Sequence, residues 1–357
     1  MNIDFHFGVI YMVARVSGLA PTDAEIVAHS CQYIDDATTN GILKFEEGQT
    51  YERFASAHVM WDYRNEFNDQ DKLVWAPFHF LPAAEGTTLD EMAVCRPDSV
   101  VAREMVRHGI AAREKPNALH RLGVTLHTYV DTWAHQGFSG MRSANNRVTH
   151  LMGELHPPEL WKSRLEEAIR DAGYTASALA LDQVSLLGHG AALAFPDMPF
   201  AEWEYTNGNG KTIQRKNLPQ FMQAAEMASR AIRGFQHGNL NFETEIGLPD
   251  GFQSQLHDFL QSNRDHDGKK RLQVLIEAVK ERRFSAVPEP LPTYIAKGEG
   301  SWKWLATGIA SADDGGQCPH WSEQFEGSDY RKFHDAVKEH RFVVTQEILP
   351  AFGVRLA

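Results

Sequence analysis

The chain has 357 residues, 43% of them hydrophobic, and a formal net charge of −12. That length suits one large domain or two average ones, with ample apolar material for a core. Acidic residues spread along the chain argue against a protein that binds long nucleic acid through a broad basic surface.

Cys31, Cys95 and Cys318 lie far apart with no CxxC pair, so they are expected to be reduced, buried thiols. No basic stretch followed by an apolar run opens the sequence, and no apolar run reaches the ~18 residues that cross a bilayer. The expectation is a cytoplasmic protein, with export by a route that reads no N-terminal signal left open.

Residues 5–16 read as an apolar helix with Asp4 and His6 at its start. After a loop, Thr22 and Glu25 have capping-box spacing and open a predicted second helix that ends at Asp35 and Asp36. Residues 46–64 are ambiguous between short strands and a helix. Residues 75–82 are aromatic and bracketed by prolines, so no regular helix is expected there. Their single imidazole, His79, is either a ligand or part of aromatic packing.

Residues 99–113 read as an amphipathic helix, 117–136 as a central helix, and 157–172 as a further helix with proline at its N-terminus. Gly188-His189-Gly190 leads into Pro196-Asp197-Met198-Pro199, where Gly190 lets backbone come close to whatever His189 touches. Residues 207–210 are a turn, read as a hairpin tip.

Helices are predicted over 218–234, 251–262, 269–283 and 330–349. The run Lys269-Lys270-Arg271 reads as a solvated helix face. The dipeptides His257-Asp258, His266-Asp267 and His334-Asp335 read as surface residues. No Walker loop, Rossmann fingerprint or GxSxG occurs.

The central helix carries His127, Asp131 and His135 at i, i+4 and i+8. Four residues advance the azimuth by only about 40°, so the three share one face of a mostly apolar helix. A buried polar stripe costs free energy unless it is paired. Either a divalent metal or a hydrogen-bonded network would pair it.

In order, the chain offers Asp4-x-His6, Asp35-Asp36, His79, His127-x3-Asp131-x3-His135, then His189 and Asp197. This resembles the ligand pattern of the zinc-dependent phospholipase C and P1/S1 nuclease superfamily. Over most of its length the chain also resembles a bacterial family of unknown function, DUF6765, through Asp4-x-His6, the HTYxDTxxHQxF segment from His127 to Phe138, and the stretch from Gly188 to Pro199.

The superfamily resemblance implies an all-α, multi-helix, phospholipase C/P1 nuclease-like bundle with loop insertions. The chain is then one domain over residues 1–357, with an insertion at approximately residues 40–95. It also implies two or three divalent ions, zinc or another divalent metal. The expected ligands are Asp4, His6, Asp36, His79, His127, Asp131, His135, His189 and Asp197. The Asp131-to-His135 spacing is two residues shorter than in the superfamily. A bulky Asn2 is expected to keep Met1 in place, so that Asp4 supplies the ligand given elsewhere by a processed N-terminal amine. His150-x3-Glu154 is an alternative to His189 and Asp197 for completing the set.

The implied activity is metal-dependent, phospholipase C-like hydrolysis of a small-molecule or phospholipid phosphoester by a metal-activated water. Asp131 would bridge metals, and Asp36 or Asp35 would act as general base. Trp75, Phe78, Trp133 and Trp203 would either wall a pocket or pack in the core. The alternatives are a nuclease on the same scaffold and a metal-stabilised protein without turnover. A catalytic site keeps an open coordination position, whereas a structural one is saturated by protein.

Overall fold

Residues 1–57, 72–153 and 188–356 of a computed structural model of the chain are described here. The helix predicted over 157–172, Glu154 and the end of the ambiguous stretch lie outside them. A π-helix, Asp4–Val9, runs into α1 (Ile10–Val16), followed by α2 (Pro21–Asp36) and the strands β1 (Gly41–Lys44) and β2 (Thr50–Arg53). Next come α3 (Lys72–Phe78), α4 (Val100–Ala111), α5 (Ala118–Ala134), β3 (Val148–Gly153), β4 (Glu202–Asn207) and β5 (Thr212–Lys216). The longer helices that remain are α6 (Asn217–His237), α7 (Asp250–Ser262), α8 (Gly268–Lys280) and α9 (Asp329–Phe342).

The expected all-α bundle is therefore corrected: the chain is helix-rich but mixed, with two small antiparallel sheets, β1–β2 and β3–β4–β5, among the described residues. The second sheet follows from alternation in β4. Trp203 and Tyr205 point inward between more exposed neighbours and pair with Arg215 and Ile213 of β5. The turn at 207–210 is the tip of that hairpin.

The core is built around α5, in which every residue but Leu119 is buried. It packs against α2, α4, α6 and α9. The α2–α5 crossing is close because Gly123 faces it. A Cβ there would lie 2.4 Å from the Val27 carbonyl oxygen and 2.5 Å from Ser30 Cβ. One turn on, His127 meets Cys31, and beyond that Asp35 comes level with the same imidazole.

The sheet β3–β5 serves the far end of α5. The last carbonyls of a helix lack intrahelical partners. Arg215 supplies them, donating from Nη2 to Trp133 O and Ala134 O and from Nη1 to Gln136 O, each at 3.1 Å.

Several local expectations are also corrected. The helix α2 starts at Pro21, with Ala20 as N-cap and no side-chain cap, so proline at the first position prevails over the Thr22 capping box. Residues 72–78 are helical despite Pro77, which forfeits one ladder bond, to the Leu73 carbonyl, near the end of the helix. Cys318 is exposed, unlike Cys31 and Cys95. His334 is buried beside Tyr330 and Phe333 on the inner face of α9. Among the described residues, no helix is long and apolar enough to cross a membrane.

Candidate metal centre

Asp131 stands at the middle of the site, on the buried face of α5. Its Oδ1 is 3.1 Å from His6 Nε2 and 2.5 Å from the amine of Met1. Its Oδ2 is 3.3 Å from His127 Nε2 and 3.6 Å from His79 Nδ1, and it accepts no hydrogen bond. The π-helix brings His6 into the core, its ring stacked on that of His127 with centroids 4.0 Å apart. Such a bulge is a frequent way to re-aim a functional side chain.

The second nitrogen of each imidazole has a partner in the chain. His127 Nδ1 donates to Cys31 O and His135 Nδ1 to His79 O, both at 2.7 Å. His79 Nε2 donates to Ser56 O at 2.9 Å, and His189 Nδ1 to Leu193 O at 3.2 Å. His6 Nδ1 faces Cys31 Sγ at 3.5 Å. A carbonyl only accepts, so the nitrogen facing it carries the proton, and a neutral ring then presents a bare lone pair on its other side. Backbone pinning of this kind orients metal-ligating histidines.

The free nitrogens converge on carboxylates. His127 Nε2 and His79 Nδ1 lie 3.2 Å apart, with Asp35 Oδ1 3.7 and 3.8 Å away. His135 Nε2 and His189 Nε2 lie 3.3 and 3.5 Å from the two oxygens of Asp197. Among the described residues, three groups have ligand atoms all within 4.8 Å of one another: Asp35, His79 and His127; His135, His189 and Asp197; and His6, Cys31 and His127. Acceptors gathered in this way, with an orphaned carboxylate oxygen among them, fit divalent cations with a preference for nitrogen and oxygen ligands.

The electrostatics match. Burial lowers His6 to about 4, helped by the Met1 amine, and lowers His127 and His189 to about 4, so these rings are neutral near pH 7. Burial alone would raise Asp131, but His135, the Met1 amine, His6 and His127 hold it well below the usual carboxylate range. Burial raises Asp35 against the opposing pull of His127 and His79.

Of the residues expected from sequence, His6, His79, His127, Asp131, His135, His189 and Asp197 meet here, and so does Asp35, expected as a general base rather than a ligand. Asp36 does not face the group; its Oδ2 accepts from Tyr294 Oη at 2.6 Å and from Gln32 at 3.1 Å. Asp4 is turned away into a two-pronged ion pair with Arg271, at 2.7 and 2.9 Å. The place beside Asp131 is taken by the Met1 amine. Burial opposes a charge on that amine, but Asp131 and Asp197 outweigh it and raise its pKa to about 11.

His150 is exposed on β3. Of the four aromatic residues, Trp75 lies nearest the centre, 5.3 Å from the His79 ring, while Phe78, Trp133 and Trp203 are buried core residues. Sequence reading missed the supporting residues Arg215 and Asn217, and placed Arg271 on a solvated helix face, whereas it is fully buried. Only Arg271 left a signal: it falls at helical spacing with the inward Gly268, Leu275 and Ala278 of α8.

The fold and the site together define a helix-rich protein whose buried histidines and aspartates are grouped so that they could hold metal ions. A model described as a family of unknown function (DUF6765) matches residues 1–348, and the chain belongs to that family. No curated protein and no solved structure matches the chain.

Proposed function

We propose that this chain is a metal-dependent phosphoesterase that holds two or three divalent ions, zinc by its nitrogen-rich donor set. The observation that carries this is the pinning of the imidazoles. His79, His127, His135 and His189 each spend one nitrogen on a backbone carbonyl and aim the other at Asp35, Asp131 or Asp197. A network built only for stability would offset acceptors with donors, whereas here His127, His79 and Asp131 Oδ2 meet with none between them.

The holding residues would be Asp35, His79 and His127 for one ion, His135, His189 and Asp197 for another, and His6 with Asp131 between them. When bound, the ions would polarise a phosphoryl oxygen, lower the pKa of a water and stabilise the leaving oxygen. Asp35 supports turnover over a closed structural site. Its side chain is 32% exposed, so the centre opens to solvent at this carboxylate. Asp35 would accept the proton of the attacking water, and Asp131 would keep its charge throughout. The ligand order resembling the phospholipase C and P1/S1 nuclease superfamily favours phosphate esters. The acidic chain favours small or lipid-borne esters over long nucleic acids.

The test is elemental analysis of purified protein, wild type beside Asp131→Ala, followed by a panel of phosphomonoesters and phosphodiesters. Two or more divalent equivalents lost in the variant, with turnover of at least one ester, support the proposal. Metal-free protein that ignores added zinc refutes it. Metal retained without turnover on any ester leaves the metal centre standing but removes the enzyme.

A further inference from the structure

Arg271 is fully buried at the N-terminal end of α8, and all five of its N–H donors are used. Nε and one Nη2 hydrogen grip the Asp4 carboxylate. Nη1 donates to Asp265 O at 2.8 Å and His266 O at 3.1 Å. The second Nη2 hydrogen reaches Asp197 O at 3.3 Å, where Asn2 Nδ2 also donates. The fit is close. A Cβ on Gly268 would lie 2.7 Å from Asn2 Cβ and 3.3 Å from Asp4 Oδ1, so α8 can approach the N-terminal turn only with glycine there.

The Asp197 turn is tied on its other side by Asn217, whose Nδ2 donates to Phe195 O at 2.7 Å and Met198 O at 2.9 Å. With these bonds the carbonyls of 195, 197 and 198 are all held by side chains from other elements. Lysine could not replace the arginine, because a single ammonium cannot present parallel donors to a carboxylate and reach three carbonyls at once.

We infer that Arg271 is the positioning residue that sets Asp197, and with it the group of His135, His189 and Asp197, against the N-terminal turn that bears His6. This rests on the metal-centre reading above. It also gives Asp4 its role: the carboxylate anchors the arginine from the side of the chain that carries His6.

The test is a zinc titration of chelator-stripped, full-length protein against a chromophoric competitor, with urea midpoints measured alongside. Wild type is compared with R271M, R271K and R53M. Arg53 is also buried but pairs with Asp314, away from the centre, and serves as the control for loss of stability alone. In R271M one zinc equivalent is expected to weaken by at least about 10-fold while the others bind as in wild type, the size typical of losing an outer-shell support. R271K recovers part of that affinity, and R53M loses stability with unchanged zinc binding.

Zinc binding by R271M equal to wild type overturns the inference, as does a uniform weakening of every equivalent. If R271M does not fold, Asp4→Asn, which keeps the shape and removes the buried charge, takes its place under the same criteria. If the wild type binds no zinc, the metal reading falls, and amide exchange of the stripped proteins decides the role of Arg271. Faster exchange in R271M over residues 2–9 and 195–201, with α5 unchanged, sustains it; unchanged exchange there overturns it.

Discussion

His127 Nε2 and His79 Nδ1 face each other across 3.2 Å, each ring fixed through its other nitrogen to a carbonyl, of Cys31 and of Ser56. Two lone pairs so placed repel unless a cation lies between them. Stripping metal from the purified protein should therefore lower its stability. Restoring zinc to 100 times its Kd should return about 2.7 kcal/mol at a single site. Urea unfolding with and without chelator measures this. Asp131→Ala should weaken zinc binding by more than about 100-fold, since it removes a central ligand rather than an outer support. Identical unfolding curves with and without chelator would count against a metal in this cluster.

The two consecutive carboxylates at the end of α2 should behave differently. Asp35 lies with His79 and His127, while Asp36 is held by Tyr294 and Gln32. Asp35→Asn should cut phosphoester turnover by about 10²–10⁴-fold, the usual worth of a general base. Asp36→Asn should leave it near the wild-type rate. Steady-state kinetics with zinc content measured in each variant separates the two. Equal losses would mean that Asp35 has no special role.

Acid should destabilise the metal-free protein well before ordinary carboxylates titrate. Burial lowers His6, His127 and His189 to about 4, and His29 and His334 to about 3, from 6.5. These rings are neutral when folded, and the unfolded chain takes up their protons first. Their contribution is thus complete above about pH 6.5 and is lost progressively as pH falls towards 4. Urea midpoints of stripped protein at about pH 7.5 and pH 5 should differ, with the lower value at pH 5. A flat profile over that interval would show that the imidazoles are not buried neutral.

Arg215 should matter to stability more than its place on a small sheet suggests. Arg215→Met would leave the Trp133, Ala134 and Gln136 carbonyls without their donor at the end of α5. Lost buried hydrogen bonds to a charged donor should cost about 2–4 kcal/mol. Denaturant unfolding reads this directly, and a change under about 0.5 kcal/mol, the range of an ordinary surface substitution, would refute the capping role.

Much of the centre was legible because it is written in helical periodicity. His127, Asp131 and His135 share a face by spacing alone. The same rule limits the rest. Residues one or two apart on a helix do not face each other, so Asp4 and His6 could not both meet one ion, and only one of Asp35 and Asp36 could. The mixed fold was harder to read. The strand β3 pairs with β4 across a long stretch of chain, so neither strand's neighbours reveal the pairing. Arg215 was illegible in kind, because a buried arginine is defined by the carbonyls it reaches, and those come from α5, distant in sequence.

The tether of Asp197 to Arg271 also fixes when the site can exist. Its candidate ligands begin at His6 and end at Asp197, but the backbone of Asp197 is secured by Asn217 and Arg271, further along the chain. A nascent chain emerging from the ribosome carries every ligand before it carries the residues that hold the last one in place. Loading of an ion would thereby wait for the emergence of α8. A chain cut short before α8 would present the same histidines as a loose chelator, without the fixed spacing of a working centre.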